Sequence, residues 1–122
     1  MVFRPVKGAD TTATMPVQIL LVTFKLNLSP EKYVEAVAPL AGDILNVPGL
    51  RWKIWLINAT QNTAGGIYLF DDASYIQEFL ASPVLAALKD HSTLANLCVK
   101  PFDVLQAETA ATHGPLGEGV RV

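Results

Sequence analysis

Two apolar runs separated by a short polar segment constrain the fold of this chain more than any other feature. The first run is LRWKIWLIN (50–58), the second is TAGGIYLF (63–70), and the polar ATQN (59–62) lies between them. Both runs are rich in the β-branched and aromatic residues that favour strands. Two such runs joined by a few polar residues are typical of an antiparallel pair, so we predict a β-hairpin over residues 50–70.

A strand and a helix are predicted before the hairpin. VQILLVTFKL (17–26) is an apolar, β-branched run that predicts a strand buried on both faces. Apolar residues then recur at helical spacing from Tyr33 to Leu45, after a capping Ser29 and a proline at the first helical position. Pro48-Gly49 is expected to end this helix.

A second helix and a last strand are predicted after the hairpin. Asp71 or Asp72 is expected to cap the helix, and Ser82-Pro83 is expected to interrupt and restart it. The run 96–105 predicts the fourth strand. The order β-α-β-β-α-β predicts an α+β, ferredoxin-like fold with a four-stranded antiparallel sheet.

The strands are apolar on both faces, although the helices of this fold cover only one face of the sheet. Half of the 122 residues are apolar, which is a high share for a small domain. We therefore predict a homodimer in which two sheets pack face to face as a dimeric α+β barrel. The predicted barrel domain is 16–106, preceded by a polar arm (1–15) and followed by a Gly-rich tail (107–122).

Charge and hydropathy argue against several partners. The net charge is −2 and the basic residues are scattered singly, so no nucleic-acid surface is predicted. No apolar run reaches the roughly 18 residues of a membrane span. The N-terminus lacks an apolar signal core, and the single cysteine, Cys98, suits a reducing compartment, so a cytoplasmic location is expected. Cys98 lies in an apolar run and is interpreted as a small buried hydrophobe.

The sequence contains no motif for a bound metal or cofactor, and none is predicted. Neither a zinc-type His or Cys spacing nor a phosphate-binding glycine loop is present. Asp90-His91-Ser92 has the residue types of a hydrolase triad, but adjacent residues rarely point at one another as a triad requires. His91 is instead a candidate for a lone acid–base group at a pocket mouth, or a solvent-exposed loop histidine.

The hairpin register predicts a ligand pocket. If Asn58 pairs with Thr63, then Trp55 faces Gly66, Lys53 faces Tyr68 and Arg51 faces Phe70, all on one face of the sheet. The missing side chain at glycine leaves space where an aromatic ligand could stack on tryptophan, and a cation could hold a phenolate or carboxylate. Alternatively, the glycine lets the indole lie flat against the backbone, and both cations lie in solvent.

Several short blocks in order resemble the YdhR family of small proteins, which are named mono-oxygenases by analogy. The blocks are PGLRWKIW, AGGIYLFDD and VKPFDV, and the resemblance covers residues 17–106. It implies a dimeric α+β barrel and a cofactor-independent mono-oxygenase acting on aromatic compounds. Related quinone-forming enzymes line their pocket with an Asn, a Trp, a Tyr and an Arg. These correspond here to Gly66, to Phe70, to Tyr75 or Ile76, and to a position near Lys89.

The resulting hypothesis is a mono-oxygenase for a small aromatic substrate bound between sheet and helices. Ring stacking is assigned to Trp55 and Phe70, and the hold on the phenolate to Lys53 or Lys89. Proton transfer is assigned to Tyr68 or His91. The candidate catalytic residues are therefore Tyr68, Lys53, Lys89 and His91, and the candidate substrate-binding residues are Trp55, Gly66, Phe70, Arg51 and Tyr75.

Two alternatives use the same pocket. One is an isomerase, a lactone-rearranging enzyme or a polyketide cyclase, and the other is a small-molecule binding protein without turnover. The loss of the strand Asn and Trp of the quinone-forming enzymes favours the binding protein.

Overall fold

The computed structural model describes residues 16–90 and 94–116. In this part of the chain, four antiparallel strands form one sheet in the order β2-β3-β1-β4. The strands are β1 (Gln18–Leu26), β2 (Leu50–Asn58), β3 (Thr63–Phe70) and β4 (Leu94–Asp103). The predicted α+β ferredoxin-like topology is confirmed, although β4 begins and ends two residues earlier than expected. The predicted N-terminal arm and His91 lie outside the described residues.

The helices pack on one face of the sheet and differ from the prediction at one proline. The expected helix after Ser29 is divided into α1 (Pro30–Val37), a short 3₁₀ turn (Ala38–Leu40) and α2 (Ala41–Leu45). The helix is interrupted at Pro39, because proline has no backbone N–H to donate to the hydrogen bonds of a continuing helix. As predicted, the Ser29 side chain caps α1 by accepting a hydrogen bond from the Lys32 N–H at 3.2 Å.

The second helical region follows its prediction closely. Helix α3 (Ala73–Leu80) is capped by Asp72, whose carboxylate accepts a hydrogen bond from the Ser74 N–H at 2.8 Å. The chain turns at Ser82, and α4 (Pro83–Asp90) begins with the proline. None of the described helices combines the length and apolar character needed to cross a membrane.

An aromatic cluster fills much of the core between the sheet and α3. The ring of Phe79 lies 5.2 Å from that of Tyr68 and 5.7 Å from that of Phe70, centroid to centroid. All three side chains are almost completely buried. Offset and tilted rings at these distances stabilise one another beyond the burial of their area, so this cluster holds β3 firmly against α3.

The hairpin has the predicted register except near the start of β2, at Arg51. Trp55 pairs with Gly66 and Lys53 pairs with Tyr68, as expected. The predicted pairing of Arg51 with Phe70 is wrong, because a β-bulge between Leu50 and Trp52 leaves Arg51 without a partner in the β2–β3 register, and Leu50 lies opposite Phe70. A bulge of this kind turns the extra residue out of the ladder.

The tail contains a helix that the sequence pattern did not predict. Helix α5 (Gln106–Ala111) ends in a Schellman motif, in which His113 has a positive φ of 67° and the Gly114 N–H donates to the Thr109 carbonyl at 2.8 Å. Beyond this turn, the Pro115 carbonyl accepts a hydrogen bond from the Trp52 indole N–H at 2.9 Å. Since β4 and β2 are opposite edges of the sheet, the segment 104–116 links the two edges.

The sheet face away from the helices carries apolar side chains, as the two-faced strand pattern predicted. Ile54 and Phe102 lie on this face and are about half exposed, at 48% and 49%. Cys98 is on the same face and is only partly buried, so the expectation of a buried thiol is met in part.

Candidate active site

A cavity of about 520 Å³ lies between the helix-facing side of the sheet and helices α1, α2 and α4. Its lining is mostly aliphatic and aromatic, and its ionisable groups come from four side chains: Tyr33, Asp43, Lys53 and Tyr68. Ligand pockets typically have roughly this volume and this mixture of apolar wall and few polar groups. The hairpin thus contributes its helix-facing side to a cavity that could enclose a small aromatic molecule.

Lys53 lies between two aromatic rings on this wall. Its Nζ is 3.4 Å from the centroid of the Trp55 ring and 4.6 Å from that of the Tyr68 ring. No carboxylate of the described residues lies within ion-pair distance of it. Burial lowers the pKa of Lys53 from 10.5 to about 8, because the ammonium form has lost most of its hydration. A lysine in this state can hold a proton or release one near neutral pH.

Gly66 makes room for this lysine. A Cβ added at Gly66 would lie 2.5 Å from Cε of Lys53, which is closer than two such carbons can approach. The space that the sequence predicted beside Trp55 is therefore filled by the stem of Lys53. Gly66 does not line the cavity itself. Its contribution to the site is to let the lysine lie flat across β3.

Gly65 has a different reason for being a glycine. A Cβ there would lie 1.9 Å from the carbonyl oxygen of Val22, which belongs to the backbone of β1. Since backbone atoms within a sheet cannot move aside, only glycine allows β1 and β3 to approach this closely. Gly65 is thus required by the close approach of two strands, and Gly66 by the position of the Lys53 side chain.

Two tyrosines lie at the cavity, one on each side of it. Tyr68 projects from β3, and Tyr33 projects from α1, where its ring packs edge-on against Phe24 at 5.9 Å. Burial raises the pKa of Tyr33, and burial together with the nearby Tyr33 phenol raises the pKa of Tyr68. Both phenols are therefore protonated at neutral pH and can donate hydrogen bonds to a bound anion.

Sequence reasoning missed Tyr33 and Asp43 as site residues. Helical periodicity placed Tyr33 on the inner face of its helix, but periodicity does not tell which strand that face meets. Asp43 was not singled out because its apolar neighbours dominate the pattern of α2. A signal was available only for Tyr33, as the polar-tipped residue on an otherwise aliphatic helix face.

Three of the predicted substrate-binding residues lie away from the cavity. Phe70 is fully buried in the aromatic core cluster. Arg51 forms an ion pair with Asp71, at 2.5 Å between Nε and Oδ1, and donates to the Leu116 carbonyl at 2.8 Å. Tyr75 lies over Gly49, where an added Cβ would fall 2.1 Å from the tyrosine ring. The structure therefore brings Lys53, Trp55 and Tyr68 together, with Gly66 beneath the lysine.

The remaining predicted catalytic residues are Lys89 and His91. Lys89 lies in the last turn of α4 with an exposed side chain, whereas its neighbour Leu88 lines the cavity. His91 follows α4 directly and lies outside the described residues.

The described residues contain no group of three or more His, Cys, Asp or Glu side chains that could hold a metal ion. The polar groups of the cavity are two phenols, one carboxylate and one amine. This donor set suits hydrogen bonding and proton transfer to an organic molecule.

The fold is α+β and ferredoxin-like, with a cavity on the helix-facing side of its four-stranded sheet. A family model described as "Putative mono-oxygenase ydhR" matches residues 19–115. The chain belongs to this family. The match extends beyond the last strand and includes α5, so the helix of the tail is part of the family domain.

Solved structures with this fold include a cofactor-independent oxygenase and a heme-degrader. SnoaB, a cofactor-independent oxygenase from Streptomyces nogalater, is 18% identical, with 73% of this chain and 93% of that chain aligned at a TM-score of 0.59. The heme-degrader MhuD from Mycobacterium tuberculosis, solved with two hemes bound in its active site, is 16% identical, with 74% and 96% aligned at a TM-score of 0.55.

A third solved structure of this fold is a protein from Shewanella oneidensis. It is 15% identical, with 75% of this chain and 95% of that chain aligned at a TM-score of 0.58. At these identities the likeness concerns the fold. Among curated proteins, none matches this chain at a significant level.

The described cavity does not fit haem well. Iron in haem proteins is most often held by His, Cys or Met, and the described lining contains none of these. Tyrosine can also bind the iron, but as the phenolate. Burial raises the pKa of both Tyr33 and Tyr68 and so opposes that form.

Proposed function

We propose that this protein is a cofactor-independent mono-oxygenase that acts on a small phenolic or enolisable aromatic compound. Membership of a family described as mono-oxygenases supports the reaction class. The observation that carries the proposal is the position of Lys53, which is a largely buried amine between two aromatic rings at the wall of an apolar cavity. Such a group favours an aromatic anion over a neutral or cationic ligand.

The first step is proton transfer from the substrate. Near its pKa of about 8, Lys53 exists partly as the free amine, which can accept the proton of a phenol or enol. The ammonium that forms then pairs with the new anion in a site that excludes water, where the attraction is stronger than in bulk solvent. Tyr68, and Tyr33 from the opposite side, can donate hydrogen bonds to the anionic oxygen.

The second step is oxygenation of the electron-rich anion. The anion transfers one electron to O₂, the two radicals combine through a new C–O bond, and the resulting peroxide anion takes back the proton held by Lys53 to give a substrate hydroperoxide. The attacked ring carbon then loses its hydrogen as a proton while the O–O bond breaks and hydroxide leaves, which together release water and leave a new carbonyl group on the ring. One O₂ is consumed, one oxygen atom enters the product and the other leaves as water. The protein binds the substrate, moves its proton and keeps water from the intermediate.

A second copy of the chain is the proposed partner. The sheet face away from the helices is apolar, and Ile54 and Phe102 on it are about half exposed in the single chain. Packing of two such faces would cover these side chains, and it is the arrangement of the dimeric barrel class. The substrate cavity lies on the other side of the sheet, so each subunit would carry its own site.

Oxygen consumption by metal-free protein tests the proposal. Dissolved oxygen is measured in sealed cells containing a chelator, across a panel of hydroxylated aromatic compounds. We expect uptake of one O₂ per product, with kcat/KM falling as the pH is lowered through about 8, because the free amine of Lys53 is lost. Lys53→Met should abolish uptake, and Lys32→Met, which changes an exposed lysine of α1, should retain it.

Three other outcomes would each contradict the proposal of a cofactor-independent mono-oxygenase. Uptake that the chelator abolishes would indicate metal chemistry. Equal substrate conversion under nitrogen and under air would indicate an isomerase or cyclase. Quenching of tryptophan fluorescence by the same compounds without any conversion would indicate a binding protein.

A further inference from the structure

We propose that Lys53 also acts as a nucleophile and forms a covalent imine with aromatic aldehydes or ketones that enter the cavity. The inference rests on the same cavity as the proposed mono-oxygenase but does not depend on its reaction with oxygen. It assigns to this site a second substrate class, carbonyl compounds, and a second type of chemistry, covalent catalysis by an amine.

Lys53 differs in its position from the other lysines that the structure describes. Of the five lysines in residues 16–90 and 94–116, the other four have exposed side chains, and only Lys53 lies at the cavity. Exposed ammonium groups are hydrated and protonated, so they are poor nucleophiles at neutral pH. Lys53 lies between the rings of Trp55 and Tyr68, without a carboxylate of the described residues to fix its positive charge.

The surroundings of Lys53 favour each part of an imine. Burial holds the pKa of Lys53 at about 8, so a substantial share of the side chain is the free amine at mildly alkaline pH. The apolar wall suits the ring of an aromatic carbonyl compound. Tyr68 is protonated and close to the lysine, so it can donate a hydrogen bond to the carbonyl oxygen.

The reaction balances without any further reactant. The lone pair of Nζ attacks the carbonyl carbon, the C=O π electrons move to oxygen, and a proton passes from nitrogen to oxygen to give a carbinolamine. The C–O bond then breaks, the oxygen leaves as water after gaining a second proton, and a C=N bond forms. Hydrolysis reverses every step and returns the free lysine and the carbonyl compound.

Reductive trapping tests this directly. The full chain is incubated under nitrogen at pH 8 with 4-hydroxybenzaldehyde and sodium cyanoborohydride, which delivers hydride to the imine and fixes it as a secondary amine. Intact mass and peptide mapping then show how many hydroxybenzyl groups are attached and where. We expect Lys53 to be labelled about tenfold faster than the exposed Lys32, since a substantial share of Lys53 is the free amine at this pH.

Two variants keep the result interpretable. Lys53→Met should lose the label at position 53, while the labelling of the N-terminal amine and the slow labelling of surface lysines continue. Gly66→Ala retains Lys53 but removes the space for its stem, so the rate of labelling at Lys53 should fall to that of Lys32. Circular dichroism and urea unfolding establish that each variant is folded.

The proposal is overturned if Lys53 in the folded wild-type protein is labelled no faster than Lys32, or not at all. Because the experiment excludes oxygen, it separates this inference from the proposed function. Imine formation without oxygen uptake in the other experiment would support the carbonyl chemistry and contradict the proposed mono-oxygenase. Oxygen uptake without imine formation would mean that Lys53 holds and transfers protons but does not act as a nucleophile.

Discussion

The two tryptophans of the hairpin lie three residues apart on one strand, yet they belong to different parts of the molecule. Trp55 faces the helices and lies beneath Lys53 at the cavity wall. Trp52 faces the opposite side, where its indole N–H donates to the Pro115 carbonyl of the tail. Because alternate residues of a strand point to opposite faces, one short hairpin supplies both a reactive site and a structural attachment. The comparison shows that composition alone could not have assigned either role.

The adjacent glycines on the partner strand show the same division. Gly65 permits close approach of two backbones, whereas Gly66 permits a flexible side chain to lie across the strand. Backbone atoms of a sheet cannot move without breaking hydrogen bonds, but the end of a lysine side chain can. The same substitution at these two positions should therefore have very different effects.

The largest effect is expected for Gly65→Ala. The new methyl group would overlap the Val22 carbonyl oxygen, so β1 and β3 must separate in the centre of the sheet. We expect a loss of about 3–5 kcal/mol in the free energy of unfolding, as for other substitutions that force strain into a core. Urea unfolding followed by circular dichroism measures it. A loss below about 1 kcal/mol would show that the two strands can adjust.

The next effect concerns Lys53 and pH. The native pKa of Lys53 is about 8 and its ordinary value is 10.5, so between these pH values the unfolded chain binds more protons than the native protein. Stability should therefore rise with pH across this window, since the penalty for the buried charge is relieved. In Lys53→Met this contribution should be absent, and the variant should be more stable than wild type at pH 7.

Urea unfolding of both proteins at pH 7, 8 and 9 measures the difference. Because every other titrating group is shared, the difference between the two proteins isolates Lys53. A difference that stays constant with pH would mean that the lysine is hydrated in the native protein.

A smaller effect is expected for Gly66→Ala. The added methyl group meets the end of Lys53 first, and its next neighbours, the Ile54 carbonyl oxygen at 3.2 Å and Tyr68 Cε1 at 3.4 Å, need only slight movement. We expect a change of about 1 kcal/mol or less in stability, together with loss of the reactivity of Lys53. Unfolding as severe as that of Gly65→Ala would remove the contrast between the two glycines.

The smallest effect is expected for Trp52→Phe. This change removes the hydrogen bond to Pro115 and part of the packing of the tail against β2, which corresponds to about 1 kcal/mol. Ligand binding in the cavity should be unchanged, because Trp52 points to the other face of the sheet. Titration of the variant and of wild type with a phenol that quenches Trp55 fluorescence compares the two binding constants. A tenfold weaker binding by the variant would show that the two faces are coupled.

Much of the fold could be read from the sequence because it is encoded locally. The caps at Ser29 and Asp72, the helix interruption at Ser82 and the register from Asn58 to Lys53 all follow from residues close in the chain. The bulge at Arg51 could not be predicted in this way. Its side chain binds Asp71 and the Leu116 carbonyl, and the latter partner is 65 residues away.

The site was predictable only in part, for a related reason. Strand alternation and register brought Lys53, Trp55, Gly66 and Tyr68 together correctly, since that depends on the backbone. The path of the lysine stem depends on side-chain packing. The sequence therefore predicted an empty space beside Gly66, whereas the stem of Lys53 occupies it. The position of Tyr33 opposite the hairpin depends on how α1 lies on the sheet, which periodicity does not specify.

The central claim is that Gly66 makes room for Lys53 to lie partly buried over Trp55, and the pKa of Lys53 tests it most directly. Protein with ¹³C-labelled lysine is titrated by NMR, following the Cε signal of each lysine, and Lys53→Met assigns the signal. The account predicts a pKa of about 8 in the wild type and a return toward 10.5 in Gly66→Ala. A pKa near 10.5 in both proteins would contradict it, because the lysine would then be hydrated whether or not the glycine makes room for it.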